Sequence, residues 1–486
     1  MTVIKEAKSV VAARLTKACV WYAVPIAIFF VAEIVNALVL KRHMAFPLCA
    51  LYQTLDPVFL KTDFLRSMLL LHGQPPLLNV IAGIILKAAT VLGCAPETIA
   101  SVVFGASGLA TALLIFHMAA RWTQSRVLAT VAVVLYFINP SYYGGSSAGV
   151  GRDFFFYEFP LQPVLLFTCL SGSLWLERAE LRAGLAFVLS VAVVVNTRTL
   201  FHPLLWAAVT TVAVLAPHVR KHARGTIALG VLALVLCSAW AIKNYVLFGV
   251  LTTSTWDGLN LDRGFTGLPA PLSSFDTTGP WPDATSLLSR FPRIASWPRE
   301  SLRVVTAGTK PCGGTNWNNL YMVTTRNEAV ARAMSARKDL GHYLGHIVLM
   351  YLLTTRPMYV HPYDGKAFGM VPDQFVGYLR LYERLFFSSS LETADPPSAP
   401  HWNVLNLLFL PALISGALFM ISRSRGNRLM LALVVYTAFF PFISACLSDG
   451  FEGNRMRHST YPLMIVLTLV TVRYWYRALA VTSKRI

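Results

Sequence analysis

Long apolar runs alternate with short polar segments along most of the chain, and this pattern predicts a helical membrane protein. A run of about 20 apolar residues crosses the hydrocarbon core of a bilayer as a helix. We therefore expect an all-α polytopic membrane protein with about 11–12 transmembrane helices. The candidate segments are 19–40, 76–94, 100–119, 127–143, 159–176, 183–198, 202–217, 226–243, 403–421, 429–447 and 461–478, with a weaker amphipathic one at 341–356.

Basic residues gather in short clusters between these runs. A surplus of Lys and Arg marks the cytoplasmic loops of membrane proteins. If all the clusters are cytoplasmic, residues 139–158, 249–402 and 449–461 face the opposite side. The clusters are Arg121 and Arg126; Arg178 and Arg182; Arg220, Lys221 and Arg224; Arg423, Arg425 and Arg428; and Lys484 and Arg485.

Simple alternation of spans conflicts with this assignment. Counting from a cytoplasmic N-terminus places 41–75 outside, and then places Arg121 and Arg126 outside as well. One solution is that 76–94 or 100–119 is a re-entrant or broken helix. The other is that 341–356 spans and the early clusters violate the rule. We favour the first solution, because it keeps every polar motif on one face.

Two polar regions are too long to be simple turns. Residues 41–75 form the first outer loop and contain an amphipathic stretch, Pro57–Leu71, which predicts a helix lying in the membrane interface. Residues 249–402 are rich in Gly, Pro, Ser, Thr and Trp and predict a small extracytoplasmic subdomain with interfacial helices. The chain then divides into a transmembrane module at 1–248, this loop region, and C-terminal transmembrane helices at 403–486.

Composition excludes several classes of protein. Only 13% of residues are charged and 55% are hydrophobic, whereas soluble domains carry about 25% charged residues. The net charge of +19 is spread between apolar runs instead of forming one basic face, so we expect no nucleic-acid partner. The basic N-terminal segment lacks a small-residue cleavage site, which predicts a retained first span.

The seven cysteines include no CxxC pair. Small core residues are the default interpretation of the cysteines, and a disulfide between the loop cysteines Cys49 and Cys312 is left open as the alternative.

Walker A, dinucleotide-binding GxGxxG and HExxH motifs are absent from the sequence. Charges deep in the spans are few, chiefly Glu33 and Lys87, although ion-coupled transporters normally carry several.

Polar residues collect instead at span ends, beginning with two carboxylates in the first outer loop. Asp56 precedes Pro57, so it could act as a helix N-cap, and Asp63 could pair with Arg66 three residues on. The functional alternative for either Asp is a general base at the membrane surface. His72 and Gln74 follow, just before Pro75-Pro76 opens the next apolar segment.

Four further clusters contain residues suited to binding a phosphate or a sugar. Several arginines converging on one face would bind a phosphate bidentately, although a single one could simply meet lipid head groups. The clusters are 139–158 with Arg152, Asp153 and Glu158; 196–203 with Arg198 and His202; 243–249 with Lys243; and 449–462 with Glu452, Arg455 and Arg457.

Together these motifs resemble the GT-C superfamily, the integral-membrane glycosyltransferases that use polyprenyl-phosphate sugars. Protein O-mannosyltransferases and lipid A aminoarabinose transferases are examples. The resemblance is scattered from about residue 50 to 462, and each motif is weak alone. It lies in an Asp of the first outer loop, Gln74-Pro-Pro-Leu77, Asn139-Pro with its aromatic and acidic residues, Lys243-Asn-Tyr with Phe248-Gly, and Glu452 with Arg455-Met-Arg457.

The resemblance implies roles for these residues. Residues 1–248 would be the catalytic module, with Asp56 or Asp63 as the catalytic carboxylate. Residues around His72–Pro76 would shape the acceptor or carrier pocket, and Asp153 and Glu158 would form the second acidic loop. Arg455 with Arg457 would hold the lipid phosphate, assisted by Arg198 or Lys243. The chain departs from the family where Asp56 precedes Pro57 and where Gln74 replaces a His before Pro-Pro.

The implied reaction is one inverting displacement from a polyprenyl-phosphate sugar to a lipid, glycan or protein hydroxyl. We expect a bacterial inner membrane, with the active face toward the periplasm.

No ligand set with metal spacing stands out, but Asp153, Glu158 and His202 could converge on a divalent metal ion. Two alternatives are an O-antigen ligase or polymerase using a diphosphate-linked glycan, and a transporter of lipid-linked sugars.

Overall fold

The computed structural model describes residues 20–39, 54–139, 158–198, 222–259, 283–313, 315–336 and 458–482, with isolated positions 46, 48, 49, 142, 210, 262, 341, 344 and 345. Within these residues the regular structure is helical, with one bridge between Thr309 and Thr315 and no strand. The all-α prediction is therefore confirmed. The segments 403–421 and 429–447, all of 202–217 except position 210, and most of 341–356 lie outside the described residues.

The helices follow the predicted apolar segments closely. Four of those described, α1, α5, α7 and α9, are long and apolar enough to cross a membrane, and α4, α6 and α8 are apolar but shorter. The bounds are α1 Val20–Leu38, α2 Pro57–Thr62, α3 Phe64–Leu70, α4 Leu77–Leu92, α5 Pro96–Thr123, α6 Arg126–Phe137, α7 Glu158–Arg178, α8 Leu181–Val195, α9 Ala223–Phe248, α10 Ala284–Ser289, α11 Pro292–Ala295, α12 Arg299–Thr306, α13 Tyr321–Ala336 and α14 Tyr461–Thr482.

Short-range signals place the boundaries of several helices. Helix α4 ends where Gly93 adopts a left-handed conformation at φ 63°, which glycine accepts without a Cβ clash. Pro96 occupies the first turn of α5, where its missing N–H is not needed. The Ser125 side chain caps α6 by accepting from the Leu128 N–H at 3.3 Å. These signals explain where α4 ends and where α5 and α6 begin.

Several predicted basic residues meet at one end of the bundle, here called the arginine end. Arg121, near the end of α5, forms an ion pair with Glu177, near the end of α7. The Arg126 guanidinium, at the start of α6, lies 5.1 Å from the Trp21 ring centroid at the start of α1. Four helix termini therefore lie close together, and their basic residues share one end as the positive-inside pattern requires.

The opposite end, here called the loop end, carries the first loop. Helix α8 packs antiparallel to α7 and finishes away from the arginine end. There the Leu77 N–H, at the start of α4, donates to the Asn196 carbonyl at 2.9 Å. Helix α5 has 28 residues and is about 42 Å long, enough to run from the arginine end past this point. Helix α4 ends at Leu92, just before α5 starts at Pro96, and this start of α5 is the end far from Arg121. Helix α4 therefore starts and finishes toward the loop end, which is consistent with one of the segments 76–94 and 100–119 not crossing the membrane.

The first loop forms two short helices. The amphipathic stretch Pro57–Leu71 breaks at Asp63, which ends α2 and precedes α3, so it forms two short helices instead of one continuous helix. Apolar Val58, Leu65 and Leu69 remain 48%, 75% and 45% exposed, as expected of helices in a membrane interface. Helix α3 packs between α4 and α12, which joins the first loop to the segment 283–336.

Close packing between α3 and α4 gives a direct test of this arrangement. A Cβ atom added at Gly83 would lie 2.4 Å from the Phe64 ring. We predict that Gly83→Ala lowers the free energy of unfolding by about 1–3 kcal/mol, because such overpacking forces the ring or the backbone to move. Thermal unfolding in detergent measures this, with Gly105→Ala as the control, since no atom lies within 4 Å of its added Cβ. Equal melting temperatures for the two variants would contradict the packing.

Candidate functional site

Three of the five predicted polar clusters meet at the loop end. The first loop reaches the 196–203 cluster through the Leu77–Asn196 hydrogen bond. It reaches the 243–249 cluster through Lys243, whose ammonium donates to the Leu69 carbonyl at 3.1 Å and to the Leu71 carbonyl. The ring of Phe248 also lies 4.7 Å from the ring of His72. Segments far apart in sequence thus form one polar region beside α9.

Asp56 is buried and holds backbone in place. One carboxylate oxygen accepts from the Val58 N–H at 2.7 Å and caps α2, which is the capping role that its position before Pro57 suggests. The other oxygen accepts from the Cys312 N–H at 2.9 Å. Only 2% of Asp56 is exposed. The carboxylate therefore joins the first loop to a segment more than 250 residues later.

A disulfide and a buried lysine reinforce this junction. Cys49 and Cys312 form a disulfide, the alternative that their loop positions left open, while Cys169 and Cys237 are free and buried. Lys310 is 4% exposed and donates to the Cys49 carbonyl at 3.2 Å. Burial lowers the pKa of Lys310 to about 8, although the nearby Asp56 carboxylate opposes that shift.

Asp63 is the more accessible of the two carboxylates. It lies at the bend between α2 and α3 and keeps 38% of its side chain exposed. Its carboxylate accepts from the Ser301 hydroxyl at 3.0 Å, and the Arg66 guanidinium lies 3.9 Å away. The pairing with Arg66 is the one that their spacing suggests. Both contacts hold Asp63 at the surface of the loop end without enclosing it.

His72 is fully enclosed, with no exposed surface. Its Nδ1 atom lies 3.2 Å from the Thr255 hydroxyl, and its backbone N–H donates to the Asn318 carboxamide oxygen at 2.8 Å. Burial, followed by the neighbouring Lys243 charge, lowers the pKa of His72 to about 3, against a smaller opposing effect of Asn318. The neutral ring therefore packs elements together, while Gln74 beside it is half-buried. The predicted contact of these residues with substrate stays a prediction.

Lys243 lies near the end of α9, at the mouth of an apolar groove of about 500 Å³. Its ammonium also sits 3.8 Å from the centroid of the Trp240 ring. An ammonium has three N–H donors, and the two carbonyls of the first loop engage two of them. The Lys243 amine is thus held in a fixed place beside the carboxylate-bearing loop.

The other predicted site residues are only partly described. Arg198 follows the end of α8 and is 6% exposed, and Glu158 begins α7. Among the residues in the ranges given above, no group of three His, Cys, Asp or Glu side chains could hold a metal ion. The site residues outside the described ranges are Arg152, Asp153, His202, Glu452, Arg455 and Arg457.

Asparagines of the 307–319 segment also build the site, although no periodic pattern in the sequence points to them. The Asn318 carboxamide oxygen accepts from the N–H groups of His72 and Gly73, both at 2.8 Å, and its amide donates to the Leu70 carbonyl at 3.0 Å. The one sequence signal is the run Asn316-Trp-Asn-Asn319, because asparagines so close together suit backbone bonding in loops.

No protein-family model, curated protein or solved structure matches this chain. The arrangement of side chains is therefore the basis for assigning a function.

The buried, neutral His72 predicts how stability depends on pH. Its pKa is about 3 in the folded state, against 6.5 when unfolded, so the unfolded chain binds more protons between these values. Acidification from pH 7 to pH 5 should therefore cost about 2 kcal/mol of stability. Thermal unfolding across this range should show that loss in the wild type and in the exposed-histidine control His222→Gln. A His72→Gln variant with the same pH dependence as the wild type would contradict this origin.

Proposed function

We propose that the protein is a membrane glycosyltransferase that moves a sugar from a polyprenyl-phosphate donor to an acceptor hydroxyl at the loop end. The observation that carries this proposal is the contact of Lys243 with the first loop. It holds the Lys243 amine at the end of an apolar helix, beside the loop that contains Asp56 and Asp63. A lipid-linked donor needs these groups together: an apolar path, a cation for its phosphate and a base for the acceptor.

The two carboxylates are suited to different tasks. Both oxygens of Asp56 already accept backbone N–H bonds, and the residue is buried. A base must come within hydrogen-bond distance of the hydroxyl that it deprotonates. Asp63 is exposed enough to do so, and Ser301 orients its carboxylate. We therefore assign the general base to Asp63 and a supporting structural role to Asp56.

The proposed step is a single displacement with inversion. The Asp63 carboxylate takes the proton of the acceptor hydroxyl while the acceptor oxygen forms a bond to the anomeric carbon. The bond from that carbon to the phosphate oxygen breaks, and polyprenyl phosphate leaves with its electron pair. Negative charge grows on the departing phosphate, so fixed cations lower the barrier. Lys243 is the candidate for this task, together with Arg198, Arg455 and Arg457.

Two features favour an extracytoplasmic location for the loop end. Disulfides persist in oxidising compartments, and Cys49–Cys312 lies in this region. The arginine end carries the basic clusters that the positive-inside rule places in the cytoplasm. We propose a bacterial inner membrane with the loop end in the periplasm.

Carboxylate substitutions test the assignment. Asp63→Asn should reduce release of polyprenyl phosphate from a labelled polyprenyl-phosphate sugar by about 100-fold or more, because losing a general base typically removes that much. Asp56→Asn should chiefly lower the melting temperature, since a buried cap and loop contact weaken. The assay uses full-length protein with bacterial membrane fractions as acceptor.

Asp283→Asn is the matched control, because Asp283 caps α10 and is exposed. It should keep wild-type turnover. Full activity of Asp63→Asn would refute the assignment of the base. Turnover with a diphosphate-linked glycan, and none with any monophosphate donor, would instead support a ligase or polymerase.

A further inference from the structure

An apolar groove runs along the outside of α9. It has a volume of about 500 Å³ and opens on the surface of the helix bundle. Apart from Lys243 its lining side chains are apolar or aromatic, and Val235 and Ile242 are more than half exposed. The lining residues are Leu69, Val235, Ala239, Ile242, Lys243, Val246, Leu247 and Trp297. Such a surface excludes water and suits a hydrocarbon chain.

The length of the groove matches one leaflet of a bilayer. Val235 and Leu247 are twelve residues apart on α9, which corresponds to about 18 Å along the helix axis. Half the hydrocarbon core of a bilayer is about 15 Å thick. A phospholipid acyl chain therefore fits the groove from end to end, whereas a long polyprenyl chain extends well beyond it.

The 290–299 segment lies beside the loop end of the groove and carries three arginines, of which Arg293 contacts α9. Arg293 donates to the Val246 carbonyl at 2.5 Å, which attaches the segment 290–299 to the last turns of α9. Arg290 and Arg299 flank this contact and are exposed. In the part of the chain that the structure describes, no carboxylate lies within ion-pair distance of these three guanidinium groups.

Trp297 lines the groove between these arginines, at the level where the polar segment meets the apolar helix. Tryptophan is enriched at that level in membrane proteins, because its ring is apolar and its N–H is polar. Trp297 in the groove is consistent with head-group depth for the 290–299 segment, where an arginine guanidinium offers several donors to a phosphate.

We propose that this groove binds an anionic glycerophospholipid, with an acyl chain along α9 and its phosphate at Arg290, Arg293 and Arg299. The charge of the rim requires an anionic head group, and the groove requires a chain of one-leaflet length. The groove shares Lys243 with the proposed catalytic site, but the phosphate position proposed here, at Arg290, Arg293 and Arg299, does not involve Asp63. Its occupant ties the 283–306 segment to the membrane surface.

Native mass spectrometry of the full-length protein in detergent tests the proposal. Phosphatidylglycerol and phosphatidylcholine with identical acyl chains compete for the protein. The wild type should retain phosphatidylglycerol at least about five-fold better, and Arg290→Gln/Arg299→Gln should bring that ratio close to one. The control Arg178→Gln/Arg182→Gln, at the arginine end, should keep the wild-type ratio.

Three further measurements identify what occupies the groove: the Ala239→Phe variant, competition by inorganic phosphate and competition by polyprenyl monophosphate. Ala239→Phe should fill the groove and reduce retention of both lipids, and inorganic phosphate alone should not displace phosphatidylglycerol. Equal retention of the two lipids by the wild type, or an unchanged ratio in Arg290→Gln/Arg299→Gln, would overturn the proposal. So would stoichiometric displacement by polyprenyl monophosphate, which would assign the groove to the donor. Loss of lipid selectivity with glycosyl transfer intact would separate this site from the catalytic one.

Discussion

The carboxamide of Asn318 holds the backbone of the first loop, and the rest of the loop end depends on that contact. With three hydrogen bonds it fixes Leu70, His72 and Gly73, between the end of α3 and the start of α4. A buried backbone group without a partner is costly, so this single side chain sets the path of the chain there. The Leu69 and Leu71 carbonyls that bind Lys243 lie in or beside this stretch, so their positions follow from that path.

The position of α4 explains how Arg121 and Arg126 lie at the same end as the other basic residues, although simple alternation of spans would place them at the opposite end. Helix α4 packs on α5 and on the interfacial helices α2 and α3, with Gly83 and Lys87 against the Phe64 ring. A helix of 16 residues is about 24 Å long, less than the thickness of a bilayer core. Because α4 stays at the loop end, α5 can deliver Arg121 to the same end as Glu177. The short helix α4 therefore allows the basic residues of α5 and α6 to lie together at the arginine end.

Much of this fold could be predicted from the sequence, because apolar runs report burial and membrane contact directly. Helices α5, α7 and α9 lie close to their predicted segments. The break between α2 and α3 at Asp63 could not be predicted from the sequence, because the amphipathic pattern continues through it and the contact of Asp63 with Ser301 is tertiary. The contact of Asn318 with the first loop could not be predicted for the same reason, because loop residues that bind distant backbone groups carry no periodic signal. Capping by Asp56 was predictable because it is local.

The disulfide also has a consequence for biogenesis. Cys312 follows Cys49 by 263 residues, and at about 5–20 residues per second its synthesis lags by tens of seconds. During that time the N-terminal helices are already made, but the Asp56 carboxylate lacks its Cys312 partner and the first loop lacks Asn318. The helix bundle can therefore insert before the loop end is assembled. Maturation of this region is necessarily a late event, completed after the segment carrying Cys312 has reached the same side as Cys49.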